Sequence, residues 1–251
     1  MALQADKVIA VRTRKIIYRD GDTVIKVFDK NYSKSSVLNE ALNHARIEET
    51  GLRIPKLLDV LKVDEKWAIQ TEYISGKTLQ QLMEEHPENM EEYWELFVNL
   101  QMEVHAKTSP LLNKLKDKLD RDICETMLDA TTRYELHTRL ESMPKHKKVC
   151  HGDFNPSNII INEQNEPYII DWAHVAQGNA SADVARTYLL LCLDGREHQA
   201  EQYLERFCRK SGTEKQYVQN WLPIVAAAQS VKENMEQREL LLKWADVVDY
   251  E

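Results

Sequence analysis

Apolar and polar positions alternate along the first third of the chain and then change to a helical period. Lys7–Val11 (KVIAV), Lys15–Tyr18 (KIIY) and Thr23–Phe28 (TVIKVF) are short runs rich in β-branched residues, the pattern of strands. Asp20-Gly21-Asp22 sits between the last two runs as a hairpin turn. A helix is expected from about Ser35 to Thr50, with serines to cap its start, Gly51 after its end and Pro55 to stop it. KLLDVLKV and KWAIQTEY then read as a second hairpin, turning at Asp64-Glu65.

Beyond Ile74–Lys77 (ISGK) the period becomes helical. Thr78 followed by Gln81 has the form of a capping box. Helical segments run from there to about Met143, with breaks near Pro87 and Pro110. Met90, Tyr93, Trp94, Phe97, Leu100 and Val104 share one apolar face. A hairpin over NIII (158–161) and YII (168–170) interrupts the helices. They resume in DVARTYLLLC, EHQAEQYLERF and YVQNWLPIVAAAQSVKEN and end near Leu240 to Val248. The expected fold class is α+β: a small β-rich N-terminal lobe with one helix over 1–74, and a larger, mostly helical C-terminal lobe over 75–251.

Composition narrows the partners. The 251 residues are 43% apolar, enough for a packed core. The net charge of −8 argues against nucleic acid, which needs a basic footprint, and suits a cationic small molecule. No apolar run reaches the length of a membrane span, and the N-terminal MALQADKV lacks a signal-peptide core. The four cysteines are scattered without a CxxC pair, which fits a reducing cytoplasm better than a disulfide or metal framework. Nothing in the pattern speaks to an oligomer.

The densest chemistry lies in 149-VCHGDFNPSNIIINEQNEPYIIDWAHV-175. The spacing is H-x-D-x-x-x-x-N, then an apolar hairpin, then an apolar-flanked Asp. Phosphoryl transfer needs a carboxylate to receive a hydroxyl proton and oxygen ligands to hold Mg²⁺ against the phosphates. Asp153 suits the base, and Asn158 and Asp171 suit the metal because a hairpin brings its two ends together. His151 suits a supporting hydrogen bond. Lys26, in the middle of an apolar strand, suits the donor phosphates, and Glu40 on the following helix suits its carboxylate partner. Glu48 and Glu49, later on that helix, are expected in solvent. The backbone of Glu72 and Ile74, where the last strand leaves the small lobe, suits the edge of an adenine.

On these motifs the chain resembles the aminoglycoside phosphotransferase family, within the choline-kinase-like and protein-kinase-like group. HGDFNPSNIII resembles the family's catalytic loop and YIIDW its Mg²⁺-binding segment. DVARTYLLL resembles the following helix, whose Asp, here Asp183, braces that loop; VIKVF and EYISG also match. The resemblance covers nearly the whole chain. It implies a two-lobed protein-kinase-like fold, ATP and Mg²⁺ as cofactors with GTP open as an alternative donor, and phosphorylation of a hydroxyl on an aminoglycoside-, choline- or amino-sugar-like acceptor.

Three features set the chain apart, two from the family pattern and one from protein kinases. The turn near 11-VRTRK-15 has no glycine, so amides of Arg12 to Arg14 would have to reach the phosphates. Asn155 stands where the family commonly has His, and Trp172 follows the metal Asp where protein kinases have Phe-Gly. Two other readings stay open: a nucleotide-binding pseudokinase or regulator, for which the glycine-free turn speaks, and a protein Ser/Thr kinase, against which the short segment after Asp171 speaks. For the acceptor, Trp221 and Glu233 are candidates to line the site, with a core Trp and a solvated helix Glu as the plainer alternatives.

Overall fold

The computed structural model describes residues 7–12, 14–231 and 235–245. Thr13 in the turn considered for phosphate contact, Glu233, and the expected helix end at Val248 lie outside the described residues. The strands and helices run in the order β1 (Lys7–Arg12), β2 (Lys15–Asp20), β3 (Thr23–Phe28), α1 (Lys34–Glu48), β4 (Leu57–Val63), β5 (Lys66–Glu72), β6 (Gly76–Thr78) and α2 (Leu79–Glu85). Then follow α3 (Met90–His105), α4 (Leu115–Cys124), α5 (Ala130–Ser142), β7 (Lys148–Cys150), β8 (Ile159–Asn162), β9 (Pro167–Ile169) and β10 (Ala176–Gly178). The last helices are α6 (Ala180–Leu193), α7 (Glu197–Ser211), α8 (Lys215–Gln219), α9 (Leu222–Ser230) and α10 (Met235–Ala245). The fold class is α+β, with strands and one long helix first and helices dominating after.

The chain divides into two compact units. The first takes in the chain up to Met90 together with Pro156–His174, and the second takes in Glu91–Asn155 and the chain from Val175 on. The change from sheet to helix expected at 74/75 falls inside the first unit, because β6 pairs with β8.

In the first unit, five strands form an antiparallel sheet in the order β1-β2-β3-β5-β4. Alternation sorts its side chains onto two faces. Ile25 and Val27 pack with Val63 and Ala68 on one face. Phe28 and Ile69 pack with Val37 and Ala41 of α1 on the other. The β4–β5 turn is made by Asp64 and Glu65, both at positive φ, the pair of conformations that matches the twist of a two-residue hairpin. Ser33 caps α1 by accepting from Ser36 N. Thr78 and Gln81 form the capping box of α2, with both reciprocal bonds made. β6, β8 and β9 form a second, three-stranded antiparallel sheet.

In the second unit, one face of α3 buries Trp94, Phe97, Leu100 and Val104, as its period predicts, and Tyr93 is half-buried; Met90, also half-buried, belongs to the first unit. Phe97 stacks near Phe154 at 4.8 Å and near Tyr203 at 5.6 Å between ring centres. β7 and β10 pair antiparallel, an element too short to announce itself in the sequence. The expected single helix from Tyr217 on is two, α8 and α9, parted at Asn220–Trp221. Pro223 explains the break: it sits in the first turn of α9, where its missing N–H costs nothing, and it cannot continue α8. α9 is buried along its whole length, its alanines letting α4, α6 and α10 pack close. Trp221 is 1% exposed, a core residue of this unit. No helix among the described residues is long and apolar enough to cross a membrane.

Gly76 is the tightest point of the small sheet. A Cβ there would fall inside the contact distance of the Ile161 carbonyl, which is backbone and cannot rotate away. Gly76→Ala should therefore lower the unfolding free energy by roughly 1–3 kcal/mol, in the range of an overpacked core. A urea titration checks this, and an unchanged midpoint would show that the β6–β8 pairing yields at little expense.

Candidate active site

Three predicted residues meet in the first unit because of sheet register. Lys26 pairs with Ile69 of β5 and with Ile17 of β2, which places it on the α1 face of the sheet. Glu40 is buried on the side of α1 that packs there. Lys26 Nζ donates to Glu40 Oε1 at 2.7 Å and to Asp171 Oδ1 at 3.0 Å. Burial alone would lower the Lys26 ammonium, but the charges of Asp171 and Glu40 outweigh it and hold its pKa above the ordinary lysine value. Burial would likewise raise the Asp171 carboxyl, yet the ammonium groups of Lys26 and Lys15 hold it well below the usual carboxylate range. Asp171 is therefore an anion at neutral pH.

The hairpin β8–β9 delivers Asp171 and Asn158 together. Ile159 pairs with Ile169, and Ile170 N donates to the Asn158 carbonyl at 2.9 Å, so the rung beyond the last pair sets Asn158 opposite the residue before Asp171. Asp171 has φ 62, a conformation a non-glycine residue adopts at a cost. The residues after it fix it there. Trp172 is 1% exposed, donates from Nε1 to the Ile169 carbonyl at 3.0 Å, and lies in the short 3₁₀ turn Trp172–His174 that packs on α1. The left-handed turn thus aims the Asp171 carboxylate at the sheet's lysines while Trp172 is anchored in the core.

Sequence reasoning missed Lys15. Its Nζ lies 3.2 Å from Asp171 Oδ2 and 3.3 Å from Oδ1. The signal was present: with the turn at Gly21-Asp22, Ile17 faces Lys26, and Lys15, two residues before Ile17, shares that face. Glu48, expected in solvent, instead accepts from Leu57 N and lies near His44. It closes the end of α1 onto β4, whereas Glu49 is exposed as expected. Glu72 commits its N–H to the Lys56 carbonyl at 2.9 Å, and Ile74 is buried just past β5.

Asp153 lies in the second unit, on a loop held from beneath. His151 is fully buried, and its Nδ1 accepts from Asp153 N at 3.2 Å. Asp183 of α6 accepts from Gly152 N at 2.7 Å and from His151 N at 3.1 Å. His105 of α3 donates from Nε2 to the same carboxylate at 2.9 Å. Burial would raise the Asp183 carboxyl, but the hydrogen bonds from His105 and from the Gly152 amide bring it below its ordinary value. A second rung lies alongside: Thr187 Oγ1 donates to the Phe154 carbonyl and accepts from Gln101 Nε2. Asn155 Nδ2 donates to the Asp153 carbonyl at 3.2 Å. Trp221 sits in the core, and Glu233 lies outside the described residues.

Among the described residues no three His, Cys, Asp or Glu side chains group as a metal site. Mg²⁺ asks for less: one or two protein oxygens, with water and substrate phosphates completing its shell. An ionised Asp171 and the amide of Asn158 supply hard oxygens of that kind, so the residues present fit the ion.

The brace has a measurable pH signature. Asp183→Asn should cost about 3–5 kcal/mol at neutral pH, since it breaks a fully buried charged group from its partners. A carboxyl held below its ordinary value contributes stability that is complete above that value and fades as pH falls through the folded pKa. The gap between wild type and variant should therefore be full above about pH 4 and close progressively below it. Urea titrations across that range decide; a gap independent of pH would mean that Asp183 is not ionised in the fold.

A family model described as the phosphotransferase enzyme family matches residues 8–218. No match is found among curated proteins. Among solved structures, a thermostable mutant of aminoglycoside phosphotransferase APH(4)-Ia superposes with a TM-score of 0.72 at 14% identity, covering 98% of this chain and 94% of that one. A choline/ethanolamine kinase family protein from Mesorhizobium loti gives 0.65 at 14% identity, covering 97% and 89%. The choline kinase LicA from Streptococcus pneumoniae gives 0.62 at 14% identity, covering 96% and 92%. The fold is thus the protein-kinase-like α+β fold of these proteins, and the match over residues 8–218 places the chain in the phosphotransferase enzyme family.

Proposed function

We propose that this protein is an ATP- and Mg²⁺-dependent kinase of a small molecule, transferring the terminal phosphoryl group of the nucleotide to a hydroxyl. The observation that carries the reading is the cluster of Lys26, Glu40 and Asp171, with Asn158 beside it on the hairpin. Each residue type answers one need of phosphoryl transfer. Related folds support it: a mutant of the aminoglycoside phosphotransferase is described in ternary complex with AMP-PNP and hygromycin B, and LicA in complex with AMP.

In this reading residues 1–74 form the nucleotide-binding lobe, and 75–251 carry the catalytic loop and the acceptor site. Lys26, kept ionised and oriented by Glu40, contacts the donor phosphates. Asn158 and Asp171 hold Mg²⁺, which when bound offsets the charge of those phosphates. The backbone of Glu72 and Ile74 meets the adenine edge; with the Glu72 N–H already committed, its contact falls to the carbonyl. Asp153 orients the acceptor hydroxyl and receives its proton, on a loop that Asp183 and His105 keep from shifting. The net charge of −8 favours a cationic acceptor of the aminoglycoside, choline or amino-sugar kind.

The test is Mg²⁺-dependent ADP release with a panel of amino-sugars, choline-like amines, amino-alcohols and simple sugars. One class should stimulate turnover. Asp153→Asn should reduce that turnover by about 10²–10⁴-fold, the range for loss of a general base, with nucleotide affinity kept. Full turnover in the Asn variant would remove Asp153 from the chemistry. Nucleotide binding without turnover on any acceptor, in a protein whose cellular role survives Asp153→Asn, would favour the non-catalytic nucleotide-binding reading.

A further inference from the structure

Lys15 is the charged group of the cluster that the reading above leaves without a task. It opens β2, directly after the β1–β2 turn, where Arg12 pairs with Lys15 and only residues 13 and 14 intervene. A connection this short leaves no room for a loop over a ligand, and the stretch 11–15 has no glycine to bring backbone amides close to phosphate. What the turn offers instead is cationic: Arg12, Arg14 and Lys15.

The two lysines on Asp171 are not held alike. Lys26 has Glu40 as a second anchor at 2.7 Å, and its side chain is 17% exposed. Lys15 straddles the Asp171 carboxylate at 3.2 and 3.3 Å. Asp171 is its one charged partner among the described residues. A divalent cation on Asp171 would stand close to both ammonium groups and repel them. Lys26 is tethered through such a change by Glu40. Lys15, on a flexible four-carbon stem at the mouth of the turn, is the one free to leave.

We propose that Lys15 is an exchangeable counter-ion. It neutralises Asp171 while no nucleotide is bound, and it moves onto the terminal phosphate when the Mg²⁺-nucleotide takes its place at the carboxylate. A side-chain cation then does the work that backbone amides of a glycine-rich loop would otherwise do. The inference rests on the kinase reading and adds to it a positioning residue that senses the third phosphate.

The experiment uses the full chain with Lys15→Met and Lys15→Arg. Calorimetry in Mg²⁺ measures adenosine, ADP and AMP-PNP, and Mn²⁺ alone is titrated by its electron paramagnetic resonance signal. Lys15→Met should weaken AMP-PNP by about ten-fold or more, the worth of one charged hydrogen bond, and leave adenosine and ADP within about two-fold. The same variant should bind Mn²⁺ several-fold more tightly, because the competing ammonium is gone, and Lys15→Arg should keep the AMP-PNP affinity. A role in folding alone would not move the two readouts in opposite directions. Equal AMP-PNP binding by wild type and Lys15→Met, a parallel loss for all three ligands, or weaker Mn²⁺ binding would each overturn the inference while leaving the kinase reading standing. Failure of the wild-type chain to bind any nucleotide would overturn both.

Discussion

The ion cluster around Asp171 is the constraint on which the first unit is organised. A partly buried carboxylate beside a packed helix is stabilised when positive charge stands against it. Lys26 can supply that charge because β3 pairs with β2 and β5 in a register that turns Lys26, and not Ile25 or Val27, towards α1. Glu40 then has to lie on the inner face of α1, which sets how that helix rolls on the sheet. Asp171 in turn has to leave the hairpin in a left-handed conformation, and Trp172 holds it there by filling the core beneath α1. Two acids and two lysines balance, so the cluster is neutral as a whole although each member is charged.

Much of this was legible because side-chain alternation and cap chemistry are local. The capping box at Thr78, the hairpin over 158–170 and the apolar face of α3 each follow from residues a few positions apart. Lys26 and Glu40 were legible for a related reason: a lone Lys in an apolar strand and a Glu among the inward positions of the next helix are both conspicuous against their neighbours. Lys15 was not conspicuous. It stands at the polar edge of a strand, where lysines are common, and only the register of the β2–β3 hairpin distinguishes it.

The remaining misses have the same character. The β7–β10 pair joins segments far apart in the chain, each three residues long, too short to carry a period. The break between α8 and α9 was foreshadowed by Pro223, but the apolar residues on both sides of it hid the interruption. Glu48 looked solvated because the helical pattern says nothing of the loop that folds back to present Leu57 N. Pairing partners distant in sequence are the part of a structure that a one-dimensional pattern does not contain.

Asp171 and Asp183 show how burial separates a reachable aspartate from a sealed one. Both sit below their ordinary pKa and both face basic side chains. Asp183 is sealed: two backbone N–H groups and an imidazole fill its acceptors, and its side chain is 1% exposed. No ligand can match partners fixed in the backbone, so Asp183 serves by keeping the Asp153 loop in one place. Asp171 is 25% exposed and its partners are the ends of two lysine side chains, which can move. On the reading proposed above, a divalent cation would take the place of Lys15 at a carboxylate already ionised and aimed. The left-handed strain at Asp171 is the local cost of aiming that carboxylate at the two lysines, and it falls on the aspartate that remains reachable.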